Sequence, residues 1–238
     1  MALALGLLFA TSLARGGEIK TVVEHSDNAH ASSEFKFKRV PPVAKDDAAS
    51  RAKLSVVSGM PDPNSGDLEK LTDGKLPSYQ DEPDQNFFFT EGADGGRLLL
   101  DLGSVIAVRQ VNVYSWHPNT RGPQVYKLYA ADGDARGFDA APKEGTDPEN
   151  KGWTPIASVD TRPRKADGTV NNNDAAMGGQ YGVSISDSAG GEIGKYRYLL
   201  FVISRTEDRD EWGNTFFNEI DVIDCAAPVT TPTTRPIK

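Results

Sequence analysis

The chain has 238 residues, of which 38% are hydrophobic, and a formal net charge of -8. That length suits one generous all-β domain with a self-sufficient core, so a second domain is not required. The acidic balance excludes a phosphate-backbone partner, because the one short basic run, Arg162, Arg164 and Lys165, is too isolated to reverse it.

Residues 1–14, MALALGLLFATSLA, are apolar and end in the small-x-small pattern of Ser12 and Ala14, so a secretion signal is expected although a basic start is missing. The run is shorter than the roughly 20 apolar residues that cross a bilayer, and the mature chain is expected to have no membrane span. Residues 15–47 mix charges, Ser and Ala around a Pro41-Pro42 pair without a sustained period, and a flexible N-terminal arm is expected there.

From residue 48 onward the pattern changes. Period-2 alternation is legible in 54–57, in the aromatic run 87–89, in 97–102, 108–116 and 125–131, and again in 153–159, 181–185, 196–204 and 215–223. Gly, Pro, Asn and Asp separate these runs and no helical period reaches ten residues, which predicts an all-β sandwich or jelly roll of about eight main strands over 48–225. The segment DPNSGD at 62–67 reads as a turn. Two long polar loops, 132–151 and 162–179, serve either as binding loops or as decoration, and the low cost of polar insertions favours decoration. Residues 226–238 form a Thr/Pro-rich tail. The one cysteine, Cys225, can form no internal disulfide and is expected as a half-buried thiol closing the last strand.

The stretch VNVYSWHPNTRGPQVYKLYAADG at 111–133 reads as two strands joined by a loop that concentrates Trp116, His117, Asn119 and Arg121. A flat ring that stacks on the C–H face of a pyranose, together with planar groups that take hydroxyls, is the chemistry of sugar recognition. His117 is expected to be exposed in this loop. Strict alternation puts Trp116 on the face of Asn112 and Tyr114, which leaves a core role and a recognition role both open.

Several pieces in order, LTDGK at 71–75, RLLLDLGSVIAVRQVNVYSW at 97–116, RGPQVYKLYAADG at 121–133, WTPIAS at 153–158 and NEIDVI at 218–223, resemble the discoidin family. These are the galactose-binding-like jelly rolls that include coagulation factor C-type domains and bacterial carbohydrate-binding modules. The loops here are longer and the terminal cysteine pair of animal members is absent. The resemblance implies a glycan or polysaccharide ligand, with Trp212 and Asn214 facing the 116–121 loop. It also implies a structural Ca²⁺ held by Asp73 and Glu219, by the carbonyls of Lys70, Lys75 and Asn218, and by Ser78. Such a mixed oxygen set suits calcium, although an ordinary Asp-Gly turn and a solvent-facing Glu219 would leave the same residues.

An enzyme is not expected. The run Glu207, Asp208, Asp210 and Glu211 supplies carboxylates near Trp212, but nothing else provides a nucleophile with its base, and His25 and His30 fall in the arm. The competing reading is a protein-protein adhesion or assembly module on the same fold, with a cell-surface or extracellular protein as partner.

Overall fold

A computed structural model describes residues 18–227 apart from Asp210; the expected signal at 1–14 and most of the tail lie outside them. The described residues form eight antiparallel strands: β1 (Ile19–Ser26), β2 (Lys53–Ser58), β3 (Gly95–His117), β4 (Val125–Ala131), β5 (Thr154–Asp160), β6 (Gly179–Asp187), β7 (Gly194–Ser204) and β8 (Phe217–Asp224). The architecture is a jelly-roll β-sandwich, as the alternation predicts.

Strand β3 joins two of the runs read separately in the sequence. Its first half pairs with β2 and β7, and its second half pairs with β6 and β8. The register slips between Asp101 and Ile106, around Gly103 at φ 81°, where the strand turns from one layer into the other. One layer is therefore β2-β3-β7-β4-β5 and the other β1-β6-β3-β8. Alternate residues of both layers point at each other: Leu98, Leu100, Leu199 and Phe201 meet Val111, Val113, Val183, Ile185, Ile220 and Val222 in one buried cluster. The aromatic run 87–89 packs here through isolated bridges to Phe217 and Pro61 instead of forming a strand of its own.

The arm expected at 15–47 differs most from its reading. From Glu18 it is built into the fold, with β1 paired residue for residue to β6 from Ile19↔Asp187 to Ser26↔Gln180. The strand escapes a period search because it lies at the sheet edge with few buried side chains. The chain then crosses the outer face of the β6-β3-β8 layer. Glu24 accepts the Val40 N–H (2.8 Å), the Tyr114 hydroxyl donates to the Pro41 carbonyl (2.6 Å), and Asp221 accepts the Ala44 N–H (3.2 Å).

The opposite outer face carries a second apolar cluster of Leu99, Tyr129, Ala131, Trp153 and Leu200, with Phe138 packed against it. The loop at 132–151 covers this cluster. Arg97 donates to the carbonyls of Pro142 and Thr146, and Trp153 Nε1 donates to Asp139 (2.8 Å). The loop therefore shields apolar surface and is not decoration. Cys225 lies in the turn after β8 and is exposed, because the strand ends at Asp224 before the thiol can be covered.

Trp153→Ala is expected to destabilise the protein by about 3–5 kcal/mol in urea unfolding, since it empties the centre of this second cluster. A change below about 1 kcal/mol would mean that the loop contributes no packing.

Candidate functional site

At the end of the sandwich where β3 stops, the hairpin loop and the segment before β8 are stitched together. Thr206 Oγ1 donates to the Thr120 carbonyl (2.6 Å), Thr215 Oγ1 to Pro123 (2.7 Å), and Phe216 N to the Arg121 carbonyl (2.9 Å). Arg121 is 7% exposed, and its Nε donates to the Asn214 carbonyl (3.2 Å). Its guanidinium carbon lies 4.5 Å from the Phe88 ring centre, 4.1 Å from Phe216 and 5.7 Å from Trp212. Aromatic faces take the place of hydration around that charge. Trp212 is 45% exposed and leaves ring surface open to solvent.

Two adjoining depressions flank this group. The larger, of about 440 Å³, is lined by Asp62, Asn64, Asp81, Pro83, Asp84, Phe88, Arg121, Trp212 and Phe216. The smaller, of about 260 Å³, is lined by Asp81, His117, Asn119, Thr120, Arg121, Asp174 and Trp212. Asp81, Arg121 and Trp212 border both, so they form one continuous cleft.

The structure brings Arg121, Asn119, His117 and Trp212 to this cleft, but not with the exposures expected. His117 is 5% exposed and stacks on Phe216 at 4.4 Å and 27°. The loop folds back over the ring, and burial, reinforced by the Arg121 charge, pushes its pKa down to about 3. The Asn119 N–H donates to Nδ1 (3.3 Å), so neutral His117 carries its proton on Nε2, toward Asp81 Oδ1 at 3.8 Å. Trp116 is 4% exposed and presents no ring face to the cleft, since β3 keeps it on the covered face of Asn112 and Tyr114. Asn214 is buried, and its amide nitrogen donates to the carbonyls of Thr90 (3.0 Å) and Ala93 (3.1 Å), a strut for the neighbouring loop.

Residues not singled out in the sequence complete the cleft. Asp62 and Asn64 come from the segment read as a plain turn, Phe88 from the aromatic run, and Asp174 from the second long loop. That loop forms a single helical turn, α1 (Asp174–Met177), capped by the Asn173 side chain. The N-terminal segment braces the same region from behind, with Asn28 Nδ2 donating to the Pro118 carbonyl (2.8 Å) and His25 Nε2 bonded to Gly178 O at 3.0 Å. A side chain at Gly178 would collide with the Pro118 carbonyl and the Asn28 amide.

The residues expected to hold calcium come from the 70–78 segment and β8 and are not among those lining the cleft. The Gly74 N–H donates to Glu219 Oε1 (3.2 Å), which joins the LTDGK turn to the last strand. Glu219 is 1% exposed, and its Oε2 is buried without a hydrogen-bond partner. Burial, with Asp221 nearby, pushes Glu219 up to about 9; burial and Asp47 push Asp221 up to about 7. Lys70 and Lys75 place their ammonium groups 3.9 and 3.8 Å from Asp73. Ser78 gives its N–H and hydroxyl to Glu82, and the Asn218 amide bonds to Asn86. Among the described residues no set of three or more His, Cys, Asp or Glu side chains is arranged to hold a metal ion. A buried carboxylate with an orphaned oxygen fits a cation, and the remaining donors of the expected set would be carbonyls.

No family model and no curated protein matches the chain. Solved structures similar to it include sugar-binding modules and GH29 proteins. One is a chitosan-binding module from a chitosanase/glucanase of Paenibacillus sp. IK-5, 15% identical over 74% of this chain and 98% of that chain, with a TM-score of 0.43. Another is the family 32 carbohydrate-binding module of C. perfringens NanJ in complex with galactose, 12% identical over 74% and 95% at 0.43. A third is the fucolectin of striped bass (Morone saxatilis) serum, 13% identical over 78% and 50% at 0.45. These are the kind of module that the ordered motifs resemble, at low identity; the fold assignment rests on the strand topology itself.

In the presence of a chelator, stability is expected to fall as pH rises from 4.5 toward about 9, because folded Glu219 keeps a proton that the unfolded chain releases. Asp221 adds to the slope between 3.8 and about 7. Glu219→Gln stays neutral and should flatten the profile; urea midpoints measured across this range would show an unchanged slope if the carboxylate were ionised in the fold.

Proposed function

We propose that this chain is a non-catalytic carbohydrate-binding module that acts outside the cell. The observation that carries the reading is the half-exposed Trp212 ring beside the buried Arg121 guanidinium in one cleft. An indole face covers the apolar side of a pyranose, while Arg121, where its guanidinium reaches the cleft, and the Asn119 amide hydrogen-bond its hydroxyls. His117, held neutral, lines the same wall. The cleft is open and shallow, so few ligand atoms are immobilised; affinity for one sugar unit is weak, and attachment to other modules compensates. The apolar residues 1–14 support secretion, and no helix among the described residues is long and apolar enough to cross a membrane.

The module also holds a structural calcium ion. Glu219 and Asp73 would supply carboxylate oxygens, with the carbonyls of Lys70, Lys75 and Asn218 and the oxygens of Ser78 completing a shell of about six to eight. The ion would keep Glu219 ionised and tie the 71–75 turn to β8.

A glycan-array screen of the protein and of Trp212→Ala tests the first reading. Selective retention that the substitution abolishes is expected, whereas an empty array from folded protein would point to the adhesion module. For calcium, excess chelator is expected to lower the thermal midpoint and added Ca²⁺ to restore it. Saturation at about 100 times Kd corresponds to about 2.7 kcal/mol; an unmoved midpoint would remove the ion from this account.

A further inference from the structure

Among the described residues, the carboxylates of the cleft outnumber its cations. Asp62, Asp81 and Asp84 line the larger depression, and Asp81 and Asp174 the smaller, whereas Arg121 is the only Lys or Arg of the described residues lining either. Arg121 is buried between Phe88 and Phe216 with its Nε on a backbone carbonyl. Asp174 pairs with Arg209 at 2.7 Å. Asp81 has only the neutral His117 at 3.8 Å, and neither Asp62 nor Asp84 forms an ion pair among the described residues.

Asp62 is the informative member. It is 6% exposed, its Oδ1 takes both the N–H (2.9 Å) and the amide (3.1 Å) of Asn64, and its Oδ2 receives no hydrogen bond among the described residues. A carboxylate held in place by Asn64, with its second oxygen unused in the cleft wall, is a fixed acceptor for a cationic group that enters the cleft. An organic ammonium suits this place: it carries its donors on a larger frame that reaches carboxylates from separate segments, and the neighbouring Trp212 face favours a cation as well as a C–H surface.

We propose that this cleft selects glycans carrying a protonated amine, that is 2-amino-2-deoxy sugar units, and rejects glycans carrying carboxylate or sulfate. The proposal rests on the glycan-binding reading and narrows its ligand. The ring stacks on Trp212, the hydroxyls engage Arg121 and Asn119, and the ammonium turns toward Asp62, Asp81 and Asp84. Uronates and sulfated sugars meet like charge on the same rim.

Calorimetric titration of the full chain tests this at low ionic strength and mildly acidic pH, where the amine is protonated. The probes are galactosamine and glucosamine oligomers, their N-acetylated counterparts, and galacturonate oligomers. In at least one series the amine form is expected to bind roughly three- to tenfold tighter than the acetylated form. The advantage should shrink as salt is added, and galacturonate should not bind. In the Asp81→Asn/Asp84→Asn double variant, at two exposed positions, the affinity ratio should collapse toward one. Acetylated sugars binding as well as or better than the amines, or a ratio that survives the double variant, would overturn the proposal while leaving a glycan module. If no sugar of any series binds folded protein, the glycan reading and this refinement fall together.

Discussion

Strand β3 hydrogen-bonds to four other strands, two with each half of its length. Both halves must send alternate side chains toward one core although they belong to different layers, and the register slip near Gly103 allows it. Everything else in the domain is placed relative to this strand. Its N-terminal half carries Leu98 and Leu100 inward with Leu99 outward, and its C-terminal half carries Val111 and Val113 inward with Tyr114 outward. Each outward face would be an exposed apolar or polar surface, and each is covered by a segment from elsewhere in the chain: the 132–151 loop on one side, residues 35–44 on the other.

The end of β3 also sets the cleft. Because the strand runs to His117 before the chain turns, the 118–124 loop leaves from the rim of the sandwich and meets the segment that feeds β8. Hydroxyl-to-carbonyl bonds from Thr206 and Thr215 hold the two loops together. Arg121 becomes the pivot of this arrangement. A buried guanidinium needs acceptors and polarisable faces in place of water, and Phe88, Phe216 and the Asn214 carbonyl supply them. Arg121 thus ties the two loops together at the floor of the cleft, while Trp212, Asp81 and Asp84 stay at the surface.

Two acidic neighbourhoods differ in their physics. In one, Glu219, Asp221 and Asp47 are buried, mutually repelling and driven toward their protonated forms. In the other, the aspartates line an open cleft. The first set bears on stability and the second shapes the charge of the cleft, although both come from short acidic segments that look alike in the chain.

Most of the sandwich is legible in the alternation of apolar residues, because the side chains that fill the core, such as Val111 and Val113 or Tyr181, Val183 and Ile185, recur with the period of the strand. Arg121, Asn119 and Trp212 stand out in the sequence, since their chemistry is unusual in loops, and the fold brings them to one cleft. Strand β1 is not: an edge strand buries little, so its residues carry no period. Nor does composition indicate that His117 and Trp116 are buried or that Asn214 acts as a strut, because burial at a strand end or in a loop depends on what packs over it. Asp62, Asp81, Asp84 and Asp174 lie in separate segments of ordinary turn composition, and only the convergence of those segments around Arg121 makes them one surface. The sequence by itself determined the layers and their core through local periodicity; tertiary structure alone decided which polar groups share the cleft, since that depends on contacts between segments far apart in the chain.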